Sequence, residues 1–208
     1  MITLYTQTTP NGRKPLILFE ELHQPYTRHM VSFADQEQKS EAFLKLNPNG
    51  KIPVLVDQDG PDGARHVVFE SGAILIYLAE KFGSELWPAD PVMRSICLQW
   101  IMFQMASVGP MIGQAGHFMR AAPEPQPYAA QRFQEEVARI MGVLDTRLAE
   151  ADYLVGAYSL ADIATYPWVI GGIDFVGIDL TPHTNVSRWL NTVASRPAVE
   201  RAMAIANG

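Results

Sequence analysis

Short apolar runs alternate with helical segments along the first 82 residues of the chain. The β-branched and aromatic residues typical of strands are concentrated in four runs, ITLYT (residues 2–6), TRHMV (27–31), PVLVD (53–57) and HVVFE (66–70). Helices are indicated in three segments, residues 13–22, a polar stretch that ends at residue 46, and residues 71–82. The order β-α-β-α-β-β-α predicts a four-stranded mixed sheet with helices packed on it.

The strand pattern nearly disappears after residue 82. The segment GSELWPADP (83–91) has the composition of a linker. Four helical patterns follow it, at residues 93–118 with an interruption near Gly109 and Pro110, and at residues 128–150, 159–170 and 186–194. Ser159 and Asp162 match a capping box, which is a folding element. We therefore predict an α/β domain over residues 1–82, a linker over 83–90 and an all-α domain over 91–208.

Charge and composition exclude several function classes. The net charge of −6 provides no basic field to hold nucleic acid or an anionic membrane. The N-terminus has no secretory signal pattern, and no apolar stretch reaches the length of about 18 residues that a membrane span needs. Cys97 is the only cysteine, so no intrachain disulfide or redox pair can form, which favours a reducing cytoplasm.

Neither the cysteine nor the histidines of the chain indicate a further functional site. Cys97 lies among apolar residues and is predicted to be a buried thiol rather than a nucleophile. The five histidines show no metal-ligand spacing, so no metal site is predicted.

The segment LNPNGKIPVLVD (46–57) joins a tight turn to a strand that opens with Pro53. Pro53 is either an ordinary proline at a strand edge or a cis proline, which tight turns favour. A cis bond would turn the backbone N–H and C=O of Ile52 outward, toward an extended, peptide-like ligand. The spacing alone leaves both interpretations open.

Glu70 and Ser71 mark the junction between the fourth strand and the helix that follows it. Ser71 is a good N-cap, and that structural role needs no ligand. A helix N-terminus is also a favourable place for a carboxylate, and Glu70 could accept hydrogen bonds from an ammonium group. The pair therefore suits either a cap or the α-amino acid end of a ligand.

Several motifs, taken together and in this order, resemble the glutathione transferase superfamily along nearly the whole chain. They are TTPNGRK, NPNGKIPVLVD, FESGAILIYLAEKF, GPMIGQAGHF with the later PYAAQRF, and YSLADIATYPW. The chain looks most like the bacterial nu class, the glutathione-dependent disulfide-bond oxidoreductases. The resemblance implies a thioredoxin-like first domain, a helical second domain, a homodimer, and a glutathione site in the cleft between the domains.

The resemblance also implies roles for two pairs of residues in the first domain. Ile52, followed by a cis Pro53, would pair with the cysteinyl backbone of glutathione. Glu70 and Ser71 would hold the γ-glutamyl amine and carboxylate.

Other contacts implied by the resemblance lie further from the sulfur. Gln38 and Lys51 would lie near the glycyl end, and Arg132 would add a cation from the helical domain of one subunit or the other. Five side chains would shape the co-substrate pocket or could equally belong to the core: Trp100, Phe103, Met111, His117 and Phe118.

The turn TTPNG after the first strand contains no cysteine, serine, histidine or acidic side chain. Thioredoxins reduce disulfides with their own cysteines, so here the thiol would have to arrive as glutathione. The resemblance points to Asn11 and Thr9 as groups that stabilise the glutathione thiolate by hydrogen bonding, with Asn11 the closer. Tyr5 lies within the strand and is interpreted as structural. Arg13 and Lys14 are expected to add positive potential beside the sulfur.

The leading hypothesis is a glutathione-dependent thiol–disulfide oxidoreductase, with a small disulfide as its substrate and organic hydroperoxides as a second substrate class. One alternative is a conventional glutathione S-transferase that conjugates apolar electrophiles. The other is a non-catalytic glutathione-binding or regulatory module that keeps the fold.

Overall fold

The computed structural model describes residues 1–205, which fall into two compact units. The first unit contains Met1–Ser84 together with the described residues from Pro197 onward, and the second contains Glu85–Arg196. The predicted thioredoxin-like α/β unit and helical unit are both confirmed.

The first unit begins with alternating strands and helices. These elements are β1 (Ile2–Thr6), α1 (Pro10–Leu22), β2 (Thr27–Met30), a 3-10 turn (Glu37–Lys39), α2 (Glu41–Leu44), β3 (Val54–Asp57), a second 3-10 turn (Pro61–Gly63), β4 (His66–Phe69) and α3 (Ser71–Lys81). Helix α1 begins at Pro10 rather than at the predicted residue 13, because proline fits the first helical turn and Thr9 caps it.

The four strands form one mixed sheet in the order β2-β1-β3-β4. Strand β2 runs parallel to β1, whereas β3 is antiparallel to both β1 and β4. Every residue of β3 is buried, so this strand lies in the centre of the unit. Helices α1 and α3 supply the apolar side chains of the core, including Leu16, Ile17, Ile74, Leu75 and Leu78, each with 0% of its surface exposed.

The second unit consists of helices α4 (Pro91–Phe103), α5 (Gly109–Gly116), α6 (Pro127–Glu150), α7 (Leu160–Val176) and α8 (Thr184–Ala194). The predicted interruption near Gly109 and Pro110 takes the form of a π-helical turn, Gln104–Val108, which connects α4 to α5. Pro110 has no N–H and its ring crowds the preceding turn, and a wider turn relieves both problems without ending the helix.

A second π-helical turn, His117–Ala121, extends the same helix, so that it runs from Pro91 to Ala121. This helix is long and apolar enough to cross a membrane by length and composition. Core helices of globular domains have the same properties, so the feature does not by itself indicate a span.

A short C-terminal helix, α9 (Pro197–Ala204), is absent from the predicted elements. It packs against α1 and belongs to the first unit, whereas the sequence pattern placed residues 91–208 in a single helical domain. The guanidinium of Arg13 donates to the carbonyl oxygens of Ala202 and Met203 at 2.6 and 2.8 Å, and Arg201 pairs with Glu20 at 2.6 Å. These contacts join residues that lie 181 to 190 positions apart, which no local pattern can reveal.

The predicted capping box at the start of α7 is confirmed, and it extends into a buried hydrogen-bond network. The Asp162 carboxylate accepts bonds from the Ser159 N–H at 3.0 Å, the Leu154 N–H at 3.1 Å and Trp189 Nε1 at 2.8 Å. It is fully buried and therefore holds α7, α8 and the preceding loop together.

Asp162→Ala should lower the free energy of unfolding by about 3 kcal/mol, because it leaves the buried N–H groups of Leu154 and Trp189 without their acceptor. Urea denaturation measures the change. The matched control is Asp152→Ala, which removes an exposed ion pair with Arg188 and should cost less than about 1 kcal/mol. Equal losses in the two variants would contradict this account of the network.

Candidate functional site

The sheet register brings the predicted ligand-binding segments of the first unit to one end of the sheet. Thr6 pairs with Met30, Tyr5 pairs with Val54, and Val54 pairs with Phe69. The ends of β1, β2 and β4 therefore lie beside the start of β3, and we name this region the Thr6 end of the sheet.

Four predicted segments extend from the Thr6 end. The turn with Thr9 and Asn11 follows β1, and the segment with Gln38 follows β2. Ile52 and Pro53 immediately precede β3, and Glu70 and Ser71 immediately follow β4. Residues far apart in sequence are thus brought together by strand pairing alone.

The turn after β1 is fixed by hydrogen bonds from its own polar side chains. Thr9 is the N-cap of α1, and its Oγ1 accepts the Gly12 N–H at 3.3 Å. Thr6 Oγ1 donates to the Gly12 carbonyl at 3.1 Å, and Gln7 Nε2 donates to the Val31 carbonyl at 3.1 Å. The position of Thr9 is therefore set by the turn, and Asn11 follows it as a half-buried residue of the first helical turn.

Gly12 allows this turn to be unusually tight. A Cβ atom at this position would lie 1.9 Å from the Gln7 carbonyl oxygen and 2.6 Å from Thr6 Oγ1. No other residue fits without moving the backbone between β1 and α1.

Arg13 and Lys14, which the sequence placed beside the sulfur as a source of positive potential, both contact other parts of the protein in the structure. The Arg13 guanidinium is engaged by the carbonyl oxygens of Ala202 and Met203. Lys14 is completely buried, and its Nζ lies 3.2 Å from Ser71 Oγ. Burial lowers the pKa of Lys14 to about 7, although the nearby Glu70 charge favours the protonated form.

The junction of β4 and α3 differs from the predicted cap. Glu70, not Ser71, is the N-cap residue, and Ser71 is the first residue of the helix. Glu70 has φ 71° and ψ 118°, a conformation that residues with a side chain rarely adopt and that costs about 1 kcal/mol or more. In this arrangement the Glu70 side chain is exposed and the Ser71 side chain is buried.

The first backbone bond within α3 runs from the Ile74 N–H to the Glu70 carbonyl. The N–H groups of residues 71–73 precede it, and they give this end of the helix its partial positive charge.

The turn before β3 is held by Asn47, which is almost fully buried. Its Nδ2 donates to the Lys51 carbonyl at 2.7 Å and its Oδ1 accepts the Asn49 N–H at 3.0 Å. The Ile52–Pro53 peptide bond is cis, which decides between the two interpretations of Pro53. Ile52 packs partly buried against a cluster of Val31, Phe43 and Val54, and Lys51 is exposed.

Gln38 lies in the 3-10 turn that follows β2. Within residues 1–205, its Oε1 is one of two buried side-chain oxygen or nitrogen atoms for which no hydrogen-bond partner is found. A buried amide oxygen is normally bonded, so this atom is a candidate for contact with a ligand.

Tyr5 packs within the sheet core, as its position in β1 requires. Its ring lies 4.9 Å from that of His29 and 6.3 Å from that of Phe43, measured between ring centroids.

In the helical unit, Arg132 is an exposed residue of α6 and lines a shallow cleft with Met111, Phe133, Glu136 and Arg139. The five side chains predicted for the co-substrate pocket or the core, Trp100, Phe103, Met111, His117 and Phe118, are all partly or wholly exposed. None of the five is fully buried.

Cys97 is fully buried, as predicted, and burial raises the pKa of its thiol, so it is a poor nucleophile. Within the described residues 1–205, no group of three or more histidine, cysteine, aspartate or glutamate side chains could hold a metal ion.

Comparison with known proteins identifies the family. The model for the glutathione S-transferase N-terminal domain matches residues 8–81, and the model for the C-terminal domain matches residues 105–197. The chain is 42% identical to the disulfide-bond oxidoreductase YfcG of Escherichia coli, over 98% of this chain and 94% of that protein. The chain belongs to the glutathione transferase superfamily. The predicted family is thus confirmed.

Further glutathione transferases share the whole fold. A crystal structure from Burkholderia graminis, which has two glutathione molecules per subunit, matches with a TM-score of 0.94 and 42% identity over 100% of this chain and 89% of that one. A structure from Pseudomonas putida, with one glutathione disulfide per subunit, matches with a TM-score of 0.92 and 41% identity over 98% of this chain and 91% of that one.

Sequence reasoning did not find the roles of Lys14 and Asn47. Lys14 precedes the apolar run Pro15–Phe19, whose residues are all buried, but no local feature of the sequence marks this lysine as buried. Asn47 opens the Asn-Pro-Asn-Gly turn, where an asparagine side chain often bonds the backbone two residues on.

Gly12→Ala should lower the free energy of unfolding by about 1–3 kcal/mol, because the new methyl group forces the backbone apart at Gln7. Thermal or urea unfolding measures this loss. The control is Gly142→Ala in α6, where no heavy atom lies within 4 Å of the new methyl group and stability should rise by up to about 1 kcal/mol. A neutral Gly12→Ala variant would refute the tight-turn argument.

Proposed function

We propose that this glutathione transferase is a thiol–disulfide oxidoreductase that uses the thiolate of bound glutathione. One observation carries the proposal: the Thr6 end of the sheet presents hydrogen-bonding side chains and two helix N-termini, whereas the sole cysteine of the chain is buried in the helical unit. The reacting sulfur therefore has to come from the ligand. The relatives YfcG and YghU of Escherichia coli, 42% and 39% identical, are named disulfide-bond oxidoreductases.

The binding roles follow from the order of segments at the Thr6 end. Ile52, before the cis proline, pairs with the cysteinyl backbone of glutathione. Glu70 binds the γ-glutamyl amine, and Ser71 binds the carboxylate at the N-terminus of α3, where an anion is favoured. The exposed Glu70 carboxylate and the adjacent helix start supply the two opposite charges that an α-amino acid group needs.

The glycyl end of glutathione lies near Gln38 and Lys51, with Arg132 adding a cation from the helical domain of one subunit or the other. The unpartnered Oε1 of Gln38 supports its part in this assignment. The exposed ammonium of Lys51 supports the same assignment, because it is available to an anion. Asn47 fixes the position of the Lys51 backbone by donating to its carbonyl oxygen.

Thr9 and Asn11 stabilise the thiolate by hydrogen bonding, and neither acts as a base. The Thr9 oxygen accepts the Gly12 N–H with a lone pair, so its hydroxyl proton can still be donated to sulfur. A free thiol has a pKa of about 8.5, and lowering it by two units requires about 2.7 kcal/mol of preferential thiolate stabilisation. Two or three donors beside a helix N-terminus supply energy of this order.

The reaction then proceeds by thiol–disulfide exchange. The bound thiolate attacks one sulfur of the substrate disulfide, forms a mixed disulfide and releases the other sulfur as a thiolate. A second glutathione thiolate attacks the glutathione sulfur of the mixed disulfide, which yields glutathione disulfide and releases the second substrate thiolate. An organic hydroperoxide is a second substrate class for the same bound thiolate.

Parallel assays separate this proposal from its rivals. We expect glutathione-dependent reduction of 2-hydroxyethyl disulfide and weak conjugation of a chloronitrobenzene. Strong conjugation with negligible reduction would instead assign a conventional S-transferase. Failure of the protein to bind a glutathione affinity resin, together with no activity in either assay, would assign a non-catalytic module.

We also propose that the protein is a homodimer of the nu class that works in the cytoplasm without a metal, nucleic acid or membrane partner. Helix α4 supports self-association, since it exposes the apolar side chains of Val92, Met93, Leu98 and Met102. The lone, buried thiol suits a reducing compartment. Sedimentation equilibrium tests the dimer, and a monomer at micromolar concentration would refute it.

Asn11→Ala should lower the rate of disulfide reduction at least tenfold, which corresponds to about 1.4 kcal/mol of lost stabilisation. It should also raise the pKa of bound glutathione, which thiolate absorbance in the ultraviolet reports across a pH titration. The control is Asn191→Ala, an exposed residue of α8, whose rate should match that of the wild type. Wild-type rates in Asn11→Ala would remove this residue from the proposed role.

A further inference from the structure

Lys14 is a buried titratable group for which the proposed chemistry has no use. Its side chain is 0% exposed, and full burial is rare for a lysine. Helix α1 carries it to the start of α3, where its Nζ lies 3.2 Å from Ser71 Oγ. Ser71 is also nearly buried and lies at the proposed carboxylate site.

The chemistry of the two groups fixes the direction of this hydrogen bond. An ammonium group has three donors and no acceptor, so Ser71 Oγ must accept from it. The Ser71 hydroxyl proton then has to be donated to another group. A neutral amine has a lone pair and can accept that proton instead, which would turn the hydroxyl away from an anion.

We infer that Lys14 is a positioning residue for the γ-glutamyl carboxylate: its ammonium holds the Ser71 oxygen so that the hydroxyl proton is donated to the ligand. This inference rests on the proposed glutathione site. A carboxylate bound through Ser71 in turn stabilises the ammonium, since both lie in a region from which water is excluded. Binding of the ligand and protonation of Lys14 are therefore coupled.

The charged surroundings of Lys14 support this coupling. The charge of Glu70 acts on Lys14 and favours its ammonium form. Other titratable groups on the elements packed around α1 have partners of their own: Tyr77 and Lys81 bind Asp57, Arg201 binds Glu20, and Arg13 binds backbone carbonyls. Glu80 of α3 and Glu200 of α9 are exposed, and Glu21 of α1 is half-buried.

The sign of the pH dependence follows from the state of Lys14. Burial lowers its pKa to about 7 in the free protein, and a bound anion raises it again. Ligand binding must then take up protons near pH 7, and affinity must fall as the pH rises through this value. The Lys14 side chains that are neutral near pH 7 become protonated when the anion binds, so the uptake is a fraction of a proton per site.

Calorimetric titration with S-methylglutathione tests the inference, because this ligand keeps the γ-glutamyl group but has no thiol to ionise. Titrations at pH 7 in two buffers with different ionisation enthalpies give the number of protons taken up. We expect uptake of a fraction of a proton per site at pH 7 and much less at pH 5.5. Binding without proton uptake in the wild type would overturn the inference and leave the proposed function intact.

Two variants assign the proton to its residue. Lys14→Met should abolish the pH 7 uptake and weaken binding several-fold, whereas Lys45→Met, which removes an exposed lysine paired with Glu41, should keep the wild-type uptake. Uptake that persists in Lys14→Met would overturn the inference. The wild-type titration stands alone if that variant does not fold. Absence of any binding by the wild type would refute the proposed function as well.

Discussion

The pairing of β3 with both of its neighbours is the constraint on which the first unit depends. Because β3 is antiparallel to β1 and β4, its first residue lies beside the last residues of both. All four of its side chains are buried, so a shift of one residue would exchange the faces on which they pack. The register is therefore strongly specified, and with it the arrangement of the turns around the Thr6 end of the sheet.

At the Thr6 end of the sheet, the attraction for an anion comes from nearby groups rather than from the net charge of the protein. The protein carries a net charge of −6, and glutathione is itself an anion at neutral pH. Charges on the protein surface are screened over about 8 Å in physiological salt, whereas helix N-termini and a buried ammonium act at short range with little water between. This explains how an acidic protein can favour an acidic ligand at one place.

Features decided by local chemistry were predictable from the sequence. The four strands, the tight turn before Pro53 and the capping box of Ser159 all depend on residues close together in the chain, and the structure has each of them. The mixed sheet also follows from the order of its elements.

Features decided by distant partners were not predictable in the same way. Lys14 looks like a surface cation until α3 covers it, and Ser71 looks like an N-cap until the positive φ of Glu70 moves the cap one residue back. The roles of Arg13 and α9 depend on a contact between the two ends of the chain. Single-residue propensities contain no information about such contacts.

The position of α9 has a consequence for how the protein is made. The first unit is discontinuous in sequence, since its last helix follows the whole helical unit. On the ribosome, the side of α1 that packs on α9 stays uncovered, and the Arg13 guanidinium lacks the carbonyl oxygens it binds, until the residues around Ala202 have been synthesised. The α/β unit is thus completed after the helical one, and a fragment cut at residue 84 would lack part of its own core.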